Sequence, residues 1–286
     1  MSLLRDFSLK KNLPVESLGK GEIFSIYYHN IFDYPLTFSE LVKWNAKAPP
    51  QVECKIEYKD GFYFVKGNEG LIYKRTIRMR SSQNKLKLAK KASKMISLLP
   101  SVKMVGLTGS LAMENGGKES DIDLLIITKE GRLWSTRLFT YILLKIMNYG
   151  VRKPAGSSQK DKLCLNIWLD ESDLMWKKKD RNFFTAHEIM QIVPLADKSG
   201  AYGRFLSGNS WVLDFWPNAK EIKKNNSISY TKLRKLNFME NLMYKLQYIY
   251  MKPKMTREVV SITRAIFHPN DLSGDITSKI PLTRSP

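Results

Sequence analysis

The chain is poor in cysteine, histidine and acid, and it has no long apolar run. Its two cysteines, Cys54 and Cys164, stand far apart without Cys-x-x-Cys spacing. That excludes a disulfide framework and a cysteine-based zinc site, and makes a reducing cytoplasm the expected compartment. The three histidines, His29, His187 and His268, lack partners at metal-ligand spacing and read as structural. The His187-Glu188 pair lacks the second histidine that a zinc peptidase helix requires. The most apolar helix candidate, residues 133–149, carries Arg137 and Lys145 and reads as a buried helix, not a membrane span. The opening MSLLRDFSLKKN has no apolar core of signal-peptide length. Acids number 27 against 47 lysines and arginines, a formal charge of +20. Such an excess points to a polyanionic partner: nucleic acid, a phosphate-rich ligand or an acidic membrane surface.

At 286 residues and 43% hydrophobic, the chain has material for two or three small globular domains. Residues 21–47 read as two helices, the second opened by Thr37 with Glu40 three positions on, as a capping box needs. The run ECKIEYKDGFYFVKG predicts a hairpin turning at Asp60-Gly61. Helices followed by a hairpin predict a winged-helix-like module over residues 1–82. Residues 71–104 hold ten lysines or arginines and no acid. Within them Leu86, Ala89, Ser93, Ile96 and Leu99 fall on one helical face, and Lys87, Lys90, Lys91 and Lys94 on the other. A face built only for solubility mixes signs, so these four lysines are candidate nucleic-acid contacts, to RNA or DNA.

Strand VKMVGLT then leads into a Gly109-Ser110 turn, and DIDLLIIT forms a second strand. Side chains two apart on a strand share a face, so Asp121 and Asp123 project together while Ile122 enters the core. Adjacent carboxylates raise each other's pKa unless a cation lies between them, and carboxylate oxygens suit Mg²⁺, or Mn²⁺, sharing the ion with phosphate oxygens. Gly109 permits close backbone approach, and Ser110 offers a hydroxyl and helix-start amides to a phosphate. The intervening ENGGKES is no P-loop: Ala112 stands at the first required glycine and Glu119 at the required Ser or Thr.

Gly-Ser, ten residues, then Asp-Ile-Asp resembles the signature of the polymerase-β-type nucleotidyltransferase superfamily. The order of a FDYPLT helical module, this domain and a helical C-terminus is similar to that of a group of bacterial proteins carrying a nucleotidyltransferase domain. The resemblance implies an α+β chain. Its nucleotidyltransferase domain, residues 83–195, would have a mixed sheet with helices on one face. A basic helical region at 196–270 and a tail at 271–286 would follow. It implies that Asp121 and Asp123 bind the metal, and that Gly109 and Ser110 hold the triphosphate of an NTP whose nucleoside monophosphate passes to a hydroxyl. Two departures matter. The family's third acid belongs on a neighbouring strand, but KLCLNIWLD puts Asn166 there, with Cys164, Trp168 and Asp170 expected on the same face. An amide cannot accept a proton, so Asp170 is a candidate to replace it. Leu111 and Ala112 stand where many members carry Arg, leaving Lys118 as the nearest basic help. A catalytically weak nucleic-acid-binding protein on the same fold is the alternative.

Overall fold

The computed structural model describes residues 13–53, 55–153, 158–222, 238–255, 258–267 and 279–280. Cys54, His268, most of the expected tail and residues 223–237 of the basic region lie outside these. The chain forms two compact units, one of residues 1–76, 213–220 and 274–286, the other of 77–212 and 221–273.

In the first unit, α1 (Lys20–Asn30) precedes β1 (Leu36–Thr37) and α2 (Phe38–Lys43). The Thr37–Glu40 capping box forms as read: Glu40 N donates to Thr37 Oγ1 and Thr37 N to Glu40 Oε2. Strands β2 (Ile56–Lys59) and β3 (Phe62–Val65) form the hairpin, and its sheet order is β1-β3-β2. Asp60 and Gly61 both take positive φ, 51° and 87°, which the primed turn of a two-residue hairpin demands. Trp216, fully buried, crosses Tyr28 at 5.2 Å and Trp44 at 5.8 Å, so this aromatic belongs to a core. Glu40 also receives the Arg75 guanidinium at 2.7 Å.

Burial holds the His29 pKa down at about 4, and Arg75 holds Glu40 at about 2 against the opposing effect of its own burial. Both folded pKa values lie below the unfolded ones, so folding releases protons and acid destabilises this unit. The loss begins as pH falls through 6.5 towards 4 as unfolded His29 charges, and deepens from 4.5 towards 2 through Glu40. At pH 4 the His29 contribution is on the order of 3 kcal/mol. His29→Gln should therefore reduce the slope of unfolding free energy against pH between 4 and 6.5, measured by urea denaturation. An unchanged slope would remove His29 as its source.

Helix α3 (Gly70–Ile96) is longer than the lysine pattern suggests. It is followed by β4 (Val102–Leu107), the single turn α4 (Gly109–Ala112), β5 (Ile122–Thr128), α5 (Leu133–Ile146) and β6 (Leu163–Asp170). Then come α6 (Phe183–Gln191), β7 (Val193–Asp197), α7 (Ala201–Gly208), α8 (Phe238–Met251), β8 (Val259–Val260) and β9 (Arg264–Ile266). The sheet order is β7-β4-β5-β6-β9-β8, with β5 and β6 parallel and the other pairs antiparallel. Pro194 sits in β7, an edge strand, where a missing N–H is tolerated.

Three expectations need correction. The sheet is covered on both faces. Ile122, Leu124 and Ile126 join a core with Ala89, Ala92 and Ile96 of α3, Trp134 of α5 and Met251 of α8, yet the alternate residues Leu125 and Ile127 are buried too. Alternating strands that are apolar throughout can be satisfied only by two covering layers. Residues 196–270 do not form a separate region: β8 and β9 are strands of the sheet, and α8 packs on α5. Buried Glu240 of α8 accepts from Trp134 N at the start of α5, and Gln247 Nε2 donates to Trp134 O at 2.7 Å. Finally, Cys164, Asn166, Trp168 and Asp170 do not share a face. Asp123 pairs with Cys164 but Leu125 with Ile167, so β6 carries an extra residue. That bulge reverses the alternation and sends Trp168 into the core with Leu163 and Leu165.

Candidate active site

Gly109 opens the site. Its φ is +65°, and a Cβ there would lie 2.4 Å from Asp123 Oδ2. Any side chain would meet both backbone strain and a clash with the carboxylate. Thr108 N donates to Asp123 O at 3.0 Å, which locks the turn to β5. Ser110 is exposed beside it, and its carbonyl accepts from Asn115 N at 2.9 Å.

Asp121 and Asp123 do project together, and Cys164 joins them: one ligand atom from each lies within 4.8 Å of the others. Burial first, and then the Asp121 charge, push the Asp123 carboxyl up to about 7. Burial and both aspartates push the Cys164 thiol up, so it stays protonated and donates to Asp123. Asn166 Nδ2 also donates to Asp123 Oδ1, at 2.9 Å. Asn166 shares the face of Cys164 by alternation, and the bulge reverses the strand only beyond it. The donor set of two crowded carboxylates fits a hard divalent cation of the Mg²⁺ or Mn²⁺ kind that completes its shell with water and phosphate.

Asp170 is not brought here. It pairs with Thr128, five residues along β5 from Asp123 and so roughly 16 Å away. Its carboxylate receives Gly131 N at 2.7 Å and Ser172 Oγ at 2.6 Å, which commits it to the turn after β5. Strand geometry therefore removes it as a substitute base. Lys118 is exposed on the loop between α4 and β5, and among the described residues no ion pair holds it. Lys87, Lys90, Lys91 and Lys94 are all exposed on α3, opposite its buried Ala89, Ala92 and Ile96.

Several residues of the site carry no local sequence signal. The loop that leads to Asp121 is fastened by α3: Ser82 Oγ accepts from Gly116 N at 3.1 Å, and Arg78 reaches Asn115 Oδ1 at 3.3 Å. Buried Lys85 donates to Ser120 O at 2.7 Å and to Asp161 at 2.6 Å. Residues 78, 82 and 85 recur at helical spacing, so one stripe of α3 holds the whole loop. Arg152 places its guanidinium on Asp121 Oδ2 at 2.8 Å. Glu188 lies on the last turn of α6, which packs on α4 and runs into β7, where Val193 pairs with Leu107 two residues before Gly109. Burial and then the Asp123 charge push Glu188 up to about 8, while Gln191 Nε2 donates to it at 2.6 Å. The His187-Glu188 pair, silent as a zinc motif, thus places a raised acid on the helix that packs against α4.

Residues 87–184, about a third of the chain, match the family described as the nucleotidyltransferase domain, in line with the polymerase-β-type superfamily. The match spans β4, α4, β5, α5 and β6, which carry Gly109, Ser110, Asp121, Asp123 and Asn166. No curated protein and no solved structure matches the chain. Among the described residues no helix is long and apolar enough to cross a membrane.

Proposed function

We propose that this nucleotidyltransferase domain transfers a nucleoside monophosphate from an NTP to a hydroxyl, with Mg²⁺ or Mn²⁺ as cofactor and RNA as the favoured acceptor class. The observation that carries it is the crowded Asp121–Asp123 pair set against the Gly109 turn, with the Asp123 carboxyl pushed up by burial and by Asp121. When bound, a divalent ion supplies charge neutralisation at the reacting phosphate and the pyrophosphate leaving group. The chain's own residues do the rest. Asp121 and Asp123 hold the ion. Gly109 lets the backbone meet a phosphate, and the exposed Ser110 hydroxyl donates to it. Asn166 fixes the orientation of Asp123, a positioning task that an amide performs without taking a proton. Glu188 accepts the proton of the attacking hydroxyl, since its raised pKa suits a general base near neutral pH.

Incubation with each labelled NTP, Mg²⁺ and total RNA tests this reading. Label entering RNA is expected, label entering only protein or a small molecule would replace the acceptor, and no turnover of any NTP would overturn the activity. In that last case the weak, nucleic-acid-binding reading takes over, and the specific observation behind it is Asn166 in place of the third acid.

RNA as acceptor is supported by the acid-free stretch 71–104 and the exposed lysines of α3. The helices and hairpin of the first unit also support a winged-helix reading of that unit. If the lysines neutralise phosphates, log K for RNA falls with log salt by about 0.7 to 0.9 per contact. Replacing Lys87, Lys90, Lys91 and Lys94 by Gln should flatten that slope by up to about three units in filter binding across a salt series. A slope that stays unchanged would take RNA away from this face.

A further inference from the structure

We infer that Arg152 is the triphosphate-binding side chain of this site, and that it exchanges Asp121 for the triphosphate when a divalent ion and nucleotide bind. The inference rests on the nucleotidyltransferase reading above.

Three observations carry it. The Arg152 guanidinium meets Asp121 Oδ2 at 2.8 Å and approaches Cys164 Sγ at 3.6 Å, so it touches two of the three residues that converge at the site. It thus occupies a carboxylate oxygen that a bound cation would need. Its backbone is fixed, because Arg152 N donates to Leu163 O at 2.9 Å and Val151 bridges to Leu163 at the start of β6. The side chain is not fixed in the same way: it is 42% exposed, and a solvent-facing arginine has several rotatable bonds with which to move its planar fork by a few ångströms. Lastly, among the described residues Arg152 is the basic side chain that an ion pair places on the aspartate pair. Leu111 and Ala112 follow Gly109-Ser110, Lys118 is exposed on the loop between α4 and β5, and Lys85 is buried in its bonds to Ser120 and Asp161.

The exchange follows from charge. Without an ion, two carboxylates repel, and a guanidinium beside Asp121 relieves that repulsion. Once a divalent ion binds the pair, the same guanidinium is repelled by it and released. An NTP arriving with that ion brings a polyphosphate, for which the arginine fork is the best-matched side chain. Arg152 therefore opposes the bare ion and favours the ion together with nucleotide. This would couple metal binding to substrate binding.

The test uses the full-length protein with Mn²⁺ and a non-hydrolysable ATP or GTP analogue. Free Mn²⁺ is read by electron paramagnetic resonance, and analogue binding by calorimetry at saturating Mn²⁺. Arg152→Ala should bind Mn²⁺ alone several-fold more tightly than wild type, because its competitor is gone. It should bind the analogue about 10- to 100-fold more weakly, the loss of a hydrogen bond between charged groups. Arg152→Lys keeps the charge without the fork, so it should fall between the two for the analogue while Mn²⁺ binding stays near wild type. A merely structural ion pair would move both affinities down together through loss of Asp121 placement, and that outcome overturns the inference, as does an unchanged analogue affinity. If Arg152→Ala does not fold, the lysine variant alone decides by the same two readings. If wild type binds Mn²⁺ but neither analogue, the nucleotidyltransferase reading fails and this inference with it. If wild type binds both and the variants match it, only this inference fails.

Discussion

Asp123→Asn is expected to lower nucleotidyl transfer by at least about 10² to 10³, the typical cost of removing one group that stabilises the charge of the reacting centre, while making the ion-free protein more stable. The two effects have one cause. Asp123 is held at about 7 in the folded chain, against an ordinary aspartate value of 3.8. A carboxyl whose folded pKa lies above its unfolded one costs stability, and the cost grows as pH rises from 3.8 to 7 and then stays constant. Removing the charge removes that cost, on the order of a few kcal/mol at pH 8 and nothing near pH 4. Asparagine at 123 keeps an oxygen for Asn166 Nδ2, so the local bond at 2.9 Å need not be lost. Thermal denaturation of wild type and variant at pH 8 and pH 4, without divalent ions, checks the sign. Added Mn²⁺ should raise the melting temperature of wild type and leave the variant nearly unmoved, since only a protein that binds the ion gains from mass action. A variant that is less stable at pH 8, or that keeps the Mn²⁺ response, would show that Asp123 is not a crowded metal ligand.

What was legible in the sequence was legible because it is local. The Thr37–Glu40 box and the Asp60-Gly61 turn depend on residues within a few positions of one another, and both form. The convergence of Gly109, Asp121 and Asp123 needs only a turn and a strand's two-residue alternation, and the structure brings them together. Asn166 reaches Asp123 by the alternation that it shares with Cys164, but a bulge in β6 then turns Trp168 and Asp170 away. A bulge leaves no periodic trace in a short apolar strand, which is why Asp170 looked like a partner and is instead tied to Gly131. The contacts that close the site span larger separations: Lys85 meets Asp161 at a distance of 76 residues and Arg152 meets Asp121 at 31. No composition or spacing rule encodes such pairs. The lysine stripe of α3 showed the same limit from the other side, since Lys85 belongs to the loop clamp and its exposed neighbours do not.

Glu188→Gln separates a working enzyme from a fold that has lost its chemistry. Asn166 cannot take a proton, and Asp170 is about a strand's length away; Glu188, on the helix that packs against α4, is the acid proposed to do so. Loss of a positioned general base costs about 10² to 10⁴ in rate. The loss should fall on kcat, with KM for the NTP and Mn²⁺ affinity little changed, because Glu188 is assigned to the acceptor's proton and not to the ion. A pH profile adds a reading that a structural role would not produce. Wild-type rate should rise with pH as Glu188 gives up its proton, on a limb at or below its ion-free value of about 8, since a cation on Asp123 cancels the charge that helps to raise it. In the glutamine variant that limb should disappear. Stability runs the other way: the folded pKa exceeds the ordinary 4.5, so Glu188 costs stability increasingly from pH 4.5 to 8, and the variant should be the more stable protein at pH 8.5. Glutamine keeps an oxygen for Gln191 Nε2, so the α6 turn has no reason to rearrange. Asn166→Asp supplies the companion measurement. If Glu188 is the base, a third carboxylate against Asp123 brings no new function and should lower activity by crowding the pair further. A Glu188→Gln protein with wild-type kcat, joined to an Asn166→Asp protein with increased activity, would place the missing base on β6 after all.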